Sequence, residues 1–323
     1  MISPDLLSEI LRAEKRIRPY ILETPLLPSL PIGRMGESQV YLKMESEQYT
    51  HSFKARGAMN KVLSLTEDER RRGIVTASTG NHAQGTARAC SLTDCPGTIF
   101  LPEHAEPSKV EAIKTYPVEL VFYGQDPLTT ELYAKQAATD RGKTWISPYN
   151  DPQVLGGQGT IGIELTRQLE GIDDVLVTVG GGGLIGGIAT YLNAVSPETR
   201  IIGCQPEQAP DMYRCVQAGQ IIEIEQHDTL SDGSAGGIEP GSMTFPLCRD
   251  LVDEFLLVSE EEIKAAMRLM VDTHHKIIEG AAAVALAAFL RNQTLFKGRT
   301  VVIIICGANI TTSKFLNVLR TDD

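Results

Sequence analysis

Lys54 stands in the stretch "THSFKARGAMN" (50–60), between Phe53 and the start of a helical pattern, with Ser52 where a helix cap would sit. A lysine on a wetted helix face needs no such setting. Taken out of water, a lysine amine gives up its proton more readily and becomes a nucleophile or a base. Three further stretches carry residue types that could serve such an amine. "VTVGGGGLIGG" (177–187) sets four glycines between an apolar run and a helical pattern, so the backbone can turn sharply and aim N–H donors at an anion. A plain strand–helix junction would use the same letters. They also hold GxGxxG (Gly181, Gly183, Gly186) with Glu207 beyond the next apolar run, the pattern of a dinucleotide site. "ASTGNHAQG" (77–85) crowds Ser78, Thr79, Asn81 and His82 around Gly80. That is either a turn that holds a carboxylate or a helix cap above a buried His82. "IIICGANITT" (303–312) carries Cys306, an inert small hydrophobe unless something sits over it.

Each of these three stretches follows a β-rich run. The runs are "QVYLKM" (39–44), "GIVTAST" (73–79), "GTIFLP" (97–102), "VELVFYG" (118–124), "KTWISPY" (143–149), "DVLVTVG" (174–180), "RIIGCQP" (200–206), "EFLLVSE" (254–260) and "RTVVIIICG" (299–307). Helical patterns such as "SKVEAIKTY" separate most of them. Strands alternating with helices predict an α/β fold with a mostly parallel sheet covered on both faces, and such sheets bind ligands at the carboxyl ends of strands. At 323 residues the chain is one large unit or two lobes. The stretch 226–248 is too long for a plain connection and is a candidate functional loop.

A net charge of −11 argues against nucleic acid, because phosphate backbones need a basic surface. A local phosphate pocket stays open, since backbone N–H groups bind anions without net charge. The N-terminus reads as a charged amphipathic helix without a signal-peptide core, and no apolar run reaches the length of a bilayer span. Six cysteines without CxxC or zinc spacing read as reduced thiols of a cytoplasmic protein.

In this order and spacing, "SFKARGA", "STGNHAQG", "GGGGLIGG" and "CGAN" closely resemble the fold-type II pyridoxal-phosphate enzymes, nearest the serine/threonine dehydratases with serine racemase. The resemblance extends to "GGQGTIGIE" (156–164) and "EGAAAVALAA" (279–288). It implies a tryptophan-synthase-beta-like architecture of two open twisted sheets. The large cofactor lobe would be 1–68 and 143–323, with a small substrate-carboxylate lobe, 69–142, inserted. Lys54 would form the internal Schiff base with pyridoxal 5′-phosphate and act as the base. Phe53 would lie against the ring, and Asn81 would bind its hydroxyl. Gly180, Gly181, Gly182, Gly183 and Leu184 would take the phosphate. Ser78, Thr79, Gly80 and His82 would receive the substrate carboxylate. Cys306 would face the ring nitrogen, and a thiol there leaves that nitrogen largely neutral, which favours prompt β-elimination. The implied reaction is that of an ammonia-lyase: a β-hydroxy amino acid (threonine, serine or 3-hydroxyaspartate) gives a 2-oxo acid and ammonia. The family also implies a homodimer.

Departures from the family pattern sharpen the expectation. His51 replaces the usual Gly and could meet a second carboxylate of the substrate. Thr79 stands where racemases carry the serine that reprotonates the far face, which counts against the alternative of an amino-acid racemase. A dinucleotide-binding oxidoreductase, the other alternative, leaves Lys54 and the Asn81 turn unexplained. "QPEQAPD" (205–211) places Gln205 where the family's cation site has a carboxylate. With Ala209 and Asp211 it could hold a monovalent or weakly bound divalent ion. The absence of a following regulatory region suggests a catabolic enzyme. Substrate choice is expected from 231–245 and His51.

Overall fold

Ten strands build two sheets in the computed structural model, which describes residues 4–320. They are β1 (Leu26–Pro28), β2 (Gln39–Met44), β3 (Ile74–Ala77), β4 (Gly97–Leu101), β5 (Glu119–Phe122), β6 (Thr144–Trp145), β7 (Asp174–Thr178), β8 (Arg200–Pro206), β9 (Glu254–Val258) and β10 (Thr300–Ile305). The six-stranded sheet runs β1-β2-β10-β7-β8-β9 and the four-stranded sheet β5-β4-β3-β6. Only β1 is antiparallel, pairing Leu26 with Lys43 and Pro28 with Tyr41. All nine expected runs contain a strand, and β1 is the addition. The small sheet ends at Trp145, past residue 142, the expected limit of an inserted lobe. The outermost residues of the expected large lobe, 1–3 and 321–323, lie outside the described residues.

The central strands are buried on both faces, as parallel strands under helices must be: β7 and β4 have no exposed residue. The helix Pro4–Ile17 buries Leu6, Ile10, Ala13 and Ile17, one stripe at helical spacing. The helix Pro152–Gln168 is capped by Asp151, which accepts from the N–H groups of Gln153 and Val154, and is buried from Val154 to Leu165. No helix of the described residues is long and apolar enough to cross a membrane.

The helix Lys54–Ser64 is held by charge as well as by packing. Two residues after Lys54, Arg56 is fully buried between Glu45, at the end of β2, and Glu164 of the helix Pro152–Gln168. Its Nε and Nη2 reach Glu45 at 2.7 and 2.8 Å, and its Nη1 and Nη2 reach Glu164 at 2.7 and 2.9 Å. Nη1 also reaches Thr160 Oγ1 at 3.1 Å, so all five guanidinium donors are used. Lys43 Nζ lies 2.6 Å from Glu164 and adds a second cation. On the opposite side the helix Asn81–Thr93 packs closely. Gly85 permits this, because a Cβ there would sit 3.1 Å from the carbonyl group of Lys54.

Candidate active site

The ends of β2, β3, β7 and β10 converge on Lys54. Its helix follows a turn in which Thr50 and His51 both have left-handed backbones, φ 59° and 55°. That turn is sewn to the end of β10: Phe53 N donates to Cys306 O at 3.1 Å and Ala308 N to His51 O at 2.9 Å. The Lys54 amine donates to Pro148 O at 2.7 Å and lies 5.1 Å from the centre of the Phe53 ring. Burial pushes its pKa down to about 8, against the pull of Cys306 and Glu279. Part of the amine is therefore uncharged near neutral pH, as a nucleophile or base needs. Cys306 is buried, and burial raises its thiol well above the ordinary range, so it stays S–H and brings no charge.

The glycine stretch after β7 forms an anion cradle. Gly182, with φ 83°, caps the helix Gly183–Val195. Among the described residues no backbone carbonyl accepts from the N–H groups of Gly180 to Ile185; a helix N-terminus offers such donors to an anion. A Cβ on Gly181 would lie 2.4 Å from the Tyr149 ring, and one on Gly180 2.9 Å from Ser234 O. The long loop thus covers the cradle, ending sooner than expected where the helix Thr244–Leu251 begins, and it is held by Glu239 N donating to Tyr149 Oη at 2.9 Å and by Lys135 on Glu239 at 2.7 Å. Substituting alanine for Gly181 should lower stability by about 1–3 kcal/mol, read as a shift of the urea midpoint. An unchanged midpoint would mean that Tyr149 moves aside freely.

The turn after β3 presents Ser78, Thr79 and Gly80 half-buried, and a Cβ on Gly80 would meet open space. Among the described residues no backbone carbonyl accepts from the N–H groups of Thr79, Asn81 and His82. What His82 offers here is this N–H, because its buried ring turns away, with Nε2 3.3 Å from Ile146 O. A carbonyl only accepts, so Nε2 carries the proton. Burial and then the Lys54 charge hold the ring neutral, with its pKa pushed down to about 3. Asn81 Nδ2 donates to Glu279 Oε1 at 2.8 Å, and Asn309 Nδ2 donates to Asn81 Oδ1 at 2.6 Å. Neither Glu279 nor Asn309 was singled out by sequence, although each lies in a motif quoted above.

Two groups of expected residues stand apart. His51 is exposed, and its ring has no hydrogen-bond partner among the described residues. In the expected cation site, Gln205 is buried and engaged: its Oε1 accepts from Tyr213 N at 2.7 Å and its Nε2 donates to Val179 O at 3.1 Å. Asp211 accepts from Gln226 at 2.7 Å and keeps one buried oxygen without a partner. Ala209 N donates to Pro206 O at 3.2 Å. Among the described residues no group of three or more His, Cys, Asp or Glu could hold a metal.

Comparison with known proteins places this geometry. Residues 17–307 match the family described as pyridoxal-phosphate dependent enzyme. The chain is 41% identical over 302 residues to the L-threonine ammonia-lyase of Geobacter sulfurreducens, covering 93% of this chain and 75% of that one. It is 37% identical over 313 residues to the catabolic L-threonine dehydratase of Escherichia coli strain K12, covering 96% and 95%. The processed form of threonine deaminase isoform 2 from Solanum lycopersicum superposes with a TM-score of 0.93 at 34% identity, covering 98% of this chain and 93% of that one.

Proposed function

The chain belongs to the family of pyridoxal-phosphate-dependent enzymes, and on that premise we propose that it is an ammonia-lyase converting L-threonine to 2-oxobutanoate and ammonia. The observation that carries this reading is the enclosed Lys54 amine at the meeting point of the anion cradle, the Asn81 turn and Cys306. The residues fit the cofactor. The unpaired N–H groups of Gly180 to Leu184 suit its phosphate, the second hydrogen of Asn81 Nδ2 suits its ring hydroxyl, and Phe53 offers a flat apolar face. Pyridoxal phosphate supplies an aldehyde that takes an amine and a ring that draws electrons from the adjoining carbon.

The chain's own residues supply position and proton transfer. The N–H groups of Thr79, Asn81 and His82, with the hydroxyls of Ser78 and Thr79, hold the substrate carboxylate. Lys54, uncharged in part at neutral pH, takes the proton from the substrate α-carbon. The Cys306 thiol leaves the ring nitrogen without a charged partner, and departure of the β-hydroxyl then competes well with slower side reactions. The threonine enzymes of Geobacter sulfurreducens and Escherichia coli support the substrate, and the latter's catabolic role supports the same role here. Serine, one methyl smaller, fits the same chemistry. The test is a coupled assay of 2-oxo acid and ammonia across β-hydroxy amino acids of both configurations. Release of neither product from threonine would overturn the assignment.

His51 favours a second substrate, 3-hydroxyaspartate. Its left-handed backbone would be unstrained in the glycine of the family pattern, so the imidazole is retained against a local penalty. Its exposed ring is free to meet a β-carboxylate that threonine lacks. His51→Gly should lower kcat/KM for 3-hydroxyaspartate about tenfold, roughly one hydrogen bond to a charged group, and spare threonine. Equal losses on the two substrates would make His51 a purely structural residue.

A further inference from the structure

An asparagine amide can face a ligand with either its donor or its acceptor end, and the two ends have nearly the same shape. Asn81 is held on both sides. Glu279 Oε1 accepts from its Nδ2 at 2.8 Å, and Asn309 Nδ2 donates to its Oδ1 at 2.6 Å. Asn309 Nδ2 also donates to Thr50 O at 2.8 Å, so both of its hydrogens are committed and it presents only a donor to Asn81. Turning the Asn81 amide over would set its oxygen against the Glu279 carboxylate and its hydrogens against those of Asn309. Glu279 is itself fixed: its N–H donates to Gly307 O at 3.2 Å, and its Oε1 occupies the place a Cβ on Gly307 would need.

We propose that Glu279 and Asn309 are positioning residues that lock the Asn81 amide with its remaining N–H directed at the ring hydroxyl of pyridoxal phosphate. The proposal rests on the functional reading above and adds two residues to it. Asn309, just past the end of β10, ties Asn81 to the turn before Lys54 by way of Thr50 O. The lock therefore couples the small lobe to the lysine. Glu279 is buried, facing the Lys54 amine and the Cys306 thiol on one side. On the other lies Asp232, which is bridged by Lys109 at 3.2 Å and Lys314 at 2.9 Å. Burial lifts Glu279 to about 7, with Asn81 pulling it down, Asp232 pushing it up and Lys109 pulling it down. The carboxylate form, the stronger acceptor for Asn81, is thus the major one only above about pH 7.

The test reconstitutes the apoprotein with pyridoxal phosphate and measures the dissociation constant by absorbance titration between pH 6 and 9. Glu279→Ala should weaken cofactor binding about tenfold. Glu279→Gln, which keeps an acceptor, should lose less than about threefold but should abolish any pH step near 7. Asn309→Asp, the same size but an acceptor, should be as damaging as Glu279→Ala. On an Asn81→Ala background Glu279→Ala should add almost nothing, because residues acting through one partner are not additive. Full additivity, or wild-type affinity in Asn309→Asp, would overturn the proposal. Should Glu279→Ala fail to fold, the near-isosteric Glu279→Gln and Asn309→Asp decide it alone. A wild-type protein that does not bind the cofactor would instead sink the functional reading.

Discussion

Lys54→Ala is expected to abolish turnover and the yellow absorbance lost on borohydride reduction, while the protein stays folded. No other lysine of the described residues lies where the strand ends meet, so none can replace it. The amine makes one hydrogen bond, to Pro148 O, so truncation removes a single contact. Folding should therefore survive, and the pH dependence of stability gives an independent check. Lys54 has its pKa lowered by burial to about 8 from 10.5. A basic group depressed in this way destabilises the fold while both states are charged and loses that penalty as the folded form deprotonates. Wild-type apoprotein should thus gain stability between about pH 8 and 10.5, and Lys54→Ala should lack that gain. An active Lys54→Ala variant would refute the assignment outright.

The largest effect on stability is expected at Arg56. Arg56→Leu strips four donors from two buried carboxylates, Glu45 and Glu164, and leaves Lys43 and Arg18 on Glu164 alone. Breaking a buried pair by removing one partner costs about 3–5 kcal/mol, because the remaining charge has no water to return to. Arg56→Lys should recover only part, since an ammonium cannot fork between two carboxylates. Burial alone would raise Glu164, but Arg56 and Lys43 outweigh it and hold its carboxyl below the usual range. A carboxyl depressed in this way stabilises the fold above its unfolded pKa. The wild-type advantage over Arg56→Leu should therefore be complete above about pH 4.5 and fade as pH falls towards about 2. Urea midpoints across that range measure it, and a loss under about 1 kcal/mol at neutral pH would mean that water enters the cluster.

The parts of this molecule legible from sequence are those whose signal is local. Runs such as "RTVVIIICG" and "DVLVTVG" declare buried strands by β-branched content. Lys54, the glycine cradle and the Asn81 turn each follow such a run within a few residues. β1 escaped because Leu26, Leu27 and Pro28, following Pro25, have no periodicity, and only pairing with Tyr41 to Lys43 makes them a strand. The lock on Asn81 escaped because Glu279 is 198 residues away from it and Asn309 is 228. One signal was present: an acid directly before the apolar run "GAAAVALAA" sits at the start of a helix buried from Gly280 to Phe289, and a carboxylate there needs a partner. The direction of the His82 ring depends on the Ile146 carbonyl of a neighbouring strand end, which nothing near His82 in sequence reveals.

The strand order has a consequence for how the enzyme comes into being. β10, the last strand in the chain, lies between β2 and β7 rather than at an edge, and its end carries Cys306 and is sewn to the turn before Lys54. During synthesis the sheet must wait with a gap in its middle until Thr300–Ile305 has been made. Contacts between residues so far apart are slow to form. The lysine is therefore desolvated, and able to keep a reactive aldehyde, only once β10 is in place. Capture of the cofactor becomes a mark of completed folding, and a nascent chain is spared a reactive amine before it has the means to control it.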